Sequence, residues 1–173
     1  DFLSYPYHRP YVSGNNLNGV IMLQELIKVN INKKAFVLGM ARSGYESAKL
    51  LINEGYDVVI NDSSTNQDSN HIKELESLGV KVILGSHPED LFDNTFEMIV
   101  KNPGILNNHK YIQKANRLNI PVINELELAY RYFPSDITIV GVTGTNGKTT
   151  TTTIIYKILK EASKSVFLMG NIG

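Results

Sequence analysis

The run Gly141-Val142-Thr143-Gly144-Thr145-Asn146-Gly147-Lys148-Thr149-Thr150 has the composition of a phosphate cradle, and it lies between an apolar stretch and an amphipathic one. Glycines at 144 and 147 let the backbone curl so that successive N–H groups converge. The helix expected to open here adds the positive end of its dipole at the same spot. Lys148 is then placed to reach the β- and γ-phosphates of a nucleotide, and the Thr149 hydroxyl is a ligand for Mg²⁺. The strict P-loop pattern wants a glycine five residues before Gly147, where this chain has Val142. The motif is a variant, G-x-x-G-K-T. Asn146 has two readings: it faces the phosphates, or it tolerates an unusual backbone angle as asparagine does.

A second glycine turn, Gly39-Met40-Ala41-Arg42-Ser43-Gly44, follows an apolar run, and Asp62 ends the next such run 23 residues after Gly39. This approaches a dinucleotide fingerprint, in which the acidic residue contacts a ribose hydroxyl. The middle glycine is replaced by Ala41, whose side chain hinders close approach of a pyrophosphate to the backbone. By itself such a turn also occurs as plain architecture in doubly wound folds.

These turns need elements to carry them. Short apolar runs at residues 35–38, 58–61, 80–84, 98–101, 122–123 and 138–142 read as strands; residues 43–53, 69–78, 109–118 and 125–132 carry apolar residues at helical spacing. That alternation predicts an α/β fold with a parallel, Rossmann-like sheet. Pro134 interrupts the rhythm and marks a domain boundary. Residues 31–133 are expected to form the first domain, and residues 134–173 the start of a P-loop ATPase-type α/β domain. The latter would contain a long helix from Thr149 to about Ala162 and a further strand from Val166. One strand-loop-helix unit and one more strand cannot close an α/β domain, so this second domain is expected to be truncated. Residues 1–21 are rich in Tyr, Pro, Asn and Gly without periodicity and read as a poorly ordered leader reaching to about residue 30, with Met22 a candidate natural start.

Composition narrows the classes. Seventeen Lys and Arg balance seventeen Asp and Glu, so no global basic field favours nucleic acid, and an anionic ligand must be held locally. The absence of cysteine excludes disulfides and thiolate metal sites. No apolar run approaches the ~20 residues that span a bilayer, and no export signal is evident at the N-terminus. A cytoplasmic protein is expected, with neither a nucleic-acid nor a membrane partner, and as a monomer.

Two nucleotide-type loops in tandem form a smaller class than either alone. Residues 143–150 resemble the ATP loop of the Mur ligases and the related folylpolyglutamate synthetases. A Rossmann-like first domain that binds the UDP of the substrate is typical of the L-alanine-adding and D-glutamate-adding Mur ligases. Asn146, where the former usually carry His, favours the latter. Asn102-Pro103-Gly104-Ile105 and the terminal Gly170-Asn171-Ile172-Gly173 are similar to motifs of the same branch. The resemblance covers roughly residues 33–173.

It implies an ATP- and Mg²⁺-dependent ligase that adds D-glutamate to UDP-N-acetylmuramoyl-L-alanine through an acyl phosphate, for peptidoglycan precursors. It also implies that Arg42, Ser43 and Gly44 contact the diphosphate, that Asp62 and Ser63 hold the uridine, and that Gly104 and Asn171 lie against the substrate. Gly144, Thr145, Asn146, Gly147, Lys148, Thr149 and Thr150 would hold ATP, with Lys148 catalytic and Thr149 on the metal. The chain alone is expected to be inactive. Glu125 and Glu127 are read as serving a helix dipole, and His71, His87 and His109 as surface groups without ligand spacing. The rivals are a nicotinamide-dependent oxidoreductase, which wants the missing central glycine, and a nucleotide-gated binding module, which would need only the second loop.

Overall fold

The structure, a computed structural model, describes residues 33–170. The chain divides into two compact units, Asp1–Tyr132 and Phe133–Gly173.

In the first unit five strands, β1 (Lys34–Leu38), β2 (Asp57–Asp62), β3 (Lys81–Leu84), β4 (Phe96–Lys101) and β5 (Val122–Asn124), form one all-parallel sheet in the order β3-β2-β1-β4-β5. Central β1 is buried on both faces, as a parallel strand between helix layers must be. Its residues alternate: Ala35 and Val37 pack into one core cluster, Phe36 and Leu38 into the other. Helices α1 (Arg42–Asn53), α2 (Ser69–Ser77) and α4 (Glu125–Arg131) place Ala48, Leu51, Leu75 and Leu128 in the first cluster. Helix α3 (Lys110–Arg117) covers the opposite face, where the Phe36 ring meets Phe92, Phe96 and Tyr111 edge-on at centroid distances of 5.3, 5.5 and 5.1 Å. Edge-to-face stacking is the preferred aromatic arrangement and adds specificity to the burial.

Three of the four helices among the described residues of this unit start at a side-chain cap. Asp68 caps α2 by accepting from the N–H groups of Asn70 and His71 at 2.7 and 3.3 Å, and these two bonds hold its carboxyl below the usual carboxylate range. Asn124 caps α4 by accepting from Glu127 N–H at 2.8 Å, with Glu125 and Glu127 in the first turn beside the positive end of the dipole. For α3 the cap is His109, whose Nδ1 accepts from Tyr111 N–H at 3.3 Å. The histidines read as surface groups are therefore built into the structure. His71 stacks on Tyr45 at 3.8 Å, and His87 packs edge-on against His109 at 4.6 Å. Nδ1 of His87 bonds Oδ1 of fully buried Asn61.

In the second unit the long helix is α5 (Lys148–Glu161). Residues 138–142 and 166–170, expected as strands, carry no strand pairing among the described residues. A strand exists through the ladder it shares with a neighbour, and no ladder partner lies among the described residues of this unit. Among the described residues no helix is long and apolar enough to cross a membrane.

The His109 cap yields a pH prediction. An imidazole nitrogen that accepts from an N–H is unprotonated, and burial first, then the nearby His87 and Lys110, push His109 below its ordinary value. A lowered folded-state pKa gives stability that is complete above the unfolded value of about 6.5. It is lost as pH falls through that value and the folded one. Melting temperature should therefore fall between pH 7 and pH 5, above the carboxylate range. His109→Asn, which keeps a capping side chain, should flatten that slope; an unchanged slope in the variant would refute the cap's role.

Candidate functional site

Strand order reverses between β1 and β4, and in open parallel sheets ligands bind at the carboxyl ends of the strands at such a point. Three segments meet there: the turn after β1, the end of β2 and the segment after β4.

The turn is tight. Gly39 has φ +95°, and a Cβ there would lie 3.0 Å from Asn102 Cβ and 3.2 Å from Ile105 Cδ1. At Gly44 a Cβ would come within 1.9 Å of the Gly39 carbonyl oxygen, so only glycine lets α1 start this close to the strand. Ala41 is the N-cap of α1 and supplies no side-chain hydrogen bond, and the first turn has no acidic residue. The main-chain N–H groups of Arg42 and Ser43 thus have no partner among the described residues and are available to an anion.

Asp62 is half-buried, and its carboxylate links two loops. Oδ2 accepts from Met40 N–H at 2.7 Å and Oδ1 from Ser64 N–H at 2.8 Å. Met40 is locked to the end of β2 in this way, and Gly39 N–H is locked to Asn61 O at 2.8 Å. Ser63 is exposed beside Asp62.

After β4, Asn102 holds the other rim. Its N–H donates to Leu38 O at 3.0 Å, its Oδ1 accepts from Gly104 N–H at 3.0 Å, and its Nδ2 donates to Ser43 Oγ at 3.1 Å. Lys101 Nζ donates to Ile105 O at 2.8 Å and closes the same loop. Ser43, Gly44, Ser47, Lys101, Asn102 and Glu125 line a narrow cleft between α1 and the end of β4. Oε2 of Glu125 is buried without a hydrogen-bond partner among the described residues.

In the second unit, Gly144 (φ +151°) and Gly147 (φ +75°) take backbone angles that favour glycine. Gly147 is the N-cap of α5, which also lacks a side-chain cap. Lys148 Nζ folds back onto the carbonyls of Gly144 and Thr145, so its charge sits over the loop. Thr145, Asn146, Thr149 and Thr150 are exposed around it. Two positive-φ glycines, an uncapped helix start and an ammonium over the concavity fit a polyphosphate. For a divalent cation the loop offers the Thr149 hydroxyl, and no group of three or more His, Cys, Asp or Glu among the described residues could hold one. A magnesium ion there would take its remaining oxygens from phosphate and water.

The structure thus brings Arg42, Ser43, Gly44, Asp62, Ser63 and Gly104 to one end of one sheet and gathers 144–150 into one loop. Asn171 lies outside the described residues, as does the segment read as a leader. Missed in the sequence were Asn102 and Asn61 as anchors of the site. A polar residue next to the end of the apolar run Val58-Val59-Ile60 was the available signal for Asn61.

A parallel sheet in this order, with a glycine turn and an acidic strand end beside its switch point, defines a Rossmann-like domain. Residues 33–124 match the Mur ligase MurD-like N-terminal domain, and residues 142–173 the Mur ligase middle domain. The chain belongs to the Mur ligase family.

It is 50% identical over 143 residues to the UDP-N-acetylmuramoylalanine–D-glutamate ligase of Enterococcus hirae, covering 82% of this chain and 31% of that protein. It is 48% identical over 148 residues to the ligase of the same name from Listeria monocytogenes serotype 4b (strain F2365), covering 85% and 32%. With the one from Geobacillus sp. (strain WCH70) it shares 43% over 141 residues, covering 82% and 31%. The chain spans about a third of the length of these relatives.

Gly44→Ala tests the close approach on which the site is built. Added bulk at 1.9 Å from a backbone oxygen cannot be absorbed by a side-chain rotation, and the loss should be about 3 kcal/mol. Urea unfolding reads it, and an unshifted midpoint would mean that α1 does not press on the turn.

Proposed function

We propose that this chain is the nucleotide-binding portion of an ATP-dependent ligase that adds D-glutamate to UDP-N-acetylmuramoyl-L-alanine in peptidoglycan precursor synthesis. On this reading the Asp1–Tyr132 unit contains the uridine-nucleotide domain and the Phe133–Gly173 unit belongs to the ATP domain. The observation that carries it is the pairing of two phosphate-type loops, each opening a helix without a side-chain cap, whereas α2, α3 and α4 are capped by Asp68, His109 and Asn124. The relatives support the substrates, since their names specify the alanyl muramoyl nucleotide and D-glutamate.

In this scheme the N–H groups of Arg42 and Ser43 and the Ser43 hydroxyl bind the diphosphate. A carboxylate has about four lone-pair sites, and Asp62 gives two to Met40 and Ser64. The others accept from uridine donors, with Ser63 alongside. Gly104, lacking a side chain, admits close approach of the substrate, and Asn171 is assigned to the substrate side from the family resemblance.

A carboxylate is a poor acylating agent, so ATP supplies the activation: its γ-phosphoryl moves to the alanyl carboxylate, and the D-glutamate amine attacks the acyl phosphate and expels phosphate. The loop N–H groups of residues 144–150 orient the phosphates, Lys148 offsets charge on the transferring group, and Thr149 offers its hydroxyl to Mg²⁺. Further residues of the complete enzyme supply the remaining metal and D-glutamate contacts, so this chain alone does not turn over.

Calorimetric titration of this chain with UDP-N-acetylmuramoyl-L-alanine, using NAD and UDP-glucose as controls, tests the reading. The muramoyl nucleotide should bind selectively. Asp62→Ala should weaken it at least about tenfold, the loss of roughly one charge-assisted hydrogen bond. Preference for NAD, or no binding to a folded chain, would overturn the assignment of the first site.

A further inference from the structure

We infer that Asn102 is a positioning residue that sets the polarity of the Ser43 hydroxyl, committing it to donate toward the nucleotide's diphosphate. This rests on the ligand reading above and adds to it a residue that acts on the ligand only through another.

The orientation of the Asn102 amide follows from chemistry. Gly104 N–H can only donate, so the atom 3.0 Å away must be the amide oxygen. The amide nitrogen then faces Ser43 Oγ, at 3.1 Å. Reversing the amide would set two donors against each other at Gly104. The main chain of Asn102 is itself fixed, because its N–H donates to Leu38 O at 3.0 Å and its Cβ abuts Gly39.

A serine hydroxyl can donate one hydrogen bond and accept two. Near an anion only the donating orientation helps, and an unconstrained hydroxyl must be turned into it on binding. Here Nδ2 of Asn102 occupies an acceptor site of Ser43 Oγ, and no acceptor among the described residues takes the Ser43 proton. The proton is left for the mouth of α1, beside the unpartnered N–H groups of Arg42 and Ser43. A donor feeding an O–H also polarises it, so the bond it makes outward is strengthened. Because the bridge joins residues 59 positions apart, it also makes the diphosphate end of the site depend on the loop after β4.

Asn102→Asp is the informative substitution. The carboxylate keeps the acceptor for Gly104 N–H but replaces the donor by an acceptor, so Ser43 turns its proton inward and presents lone pairs to the ligand. Dissociation constants for UDP and for UDP-N-acetylmuramoyl-L-alanine should be measured calorimetrically for the parent chain, S43A, N102D and S43A/N102D, with melting temperatures alongside. S43A alone should cost about tenfold, and N102D more. In the N102D background S43A should cost nothing or restore some affinity, because it removes a misdirected hydroxyl. A purely structural or purely charge effect of N102D would leave the S43A penalty at its full size. An additive cycle, or N102D binding as tightly as the parent, would overturn the inference. The neutral pair S43A and N102A repeats the cycle without added charge and decides the matter if N102D melts at a lower temperature: sub-additive losses support the inference and additive ones overturn it. A folded parent chain that binds neither ligand would instead sink the ligand reading on which the inference rests.

Discussion

The contact between Gly44 and the Gly39 carbonyl is the constraint on which the first site depends. With a Cβ at position 44 only 1.9 Å from that oxygen, α1 can begin at this distance from β1 only because the side chain is missing. Closeness has two effects. It seats Ala48 and Leu51 against the sheet, and it presents the uncapped N–H groups of Arg42 and Ser43 at the rim where strand order reverses. Helix packing and the exposure of these N–H groups are thus one geometric fact, and neither could be relaxed without moving the other.

Around that contact, polar side chains and main chain divide the work. Asp62, Asn61 and Asn102 stand at or just beyond strand ends and give most of their bonds to loops. Asp62 holds Met40 and Ser64, Asn102 holds Gly104 and Ser43, and Asn61 donates to Ile83 O and Ser86 O, both at 2.8 Å. Burying Asn61 without partners would cost about 1–3 kcal/mol, but its amide and carbonyl are both satisfied. Loops held from below in this way lose little freedom when a ligand arrives, which is how an ordered site gains affinity.

Much of this was legible in the sequence because hydrophobic period is a local property. Each helix and strand of the first unit begins and ends within two residues of its expected limits, since Val58-Val59-Ile60 or the apolar stripe of α1 needs no distant partner to be recognised. The glycine turns were legible for the same reason: a backbone demand is written at the residue that meets it. Three things were not legible, because each depends on a contact or pairing that hydrophobic period does not record. The bridge from Asn102 to Ser43 spans 59 positions. His109 reads as a surface group until Tyr111 N–H and the His87 ring are seen against it. Residues 138–142 read as a strand from composition alone, while pairing decides whether they are one.

The two loops reach order by different physical routes. In the first, side chains from β2 and β4 hold the turn, and the core on either side of β1 backs it. In the second unit no residue of α5 is buried, Ile154 and Ile158 are exposed, and the helix opens with five consecutive threonines after Lys148. β-branched residues lose rotamer freedom in a helix and contribute little to its stability by themselves. Order there comes from within the loop: the left-handed angle of Gly147, the extreme φ of Gly144, and the ammonium of Lys148 drawn onto two carbonyls. The first loop thus presents N–H groups already held in place, whereas in the second the Lys148 ammonium is engaged by the carbonyl oxygens of its own loop.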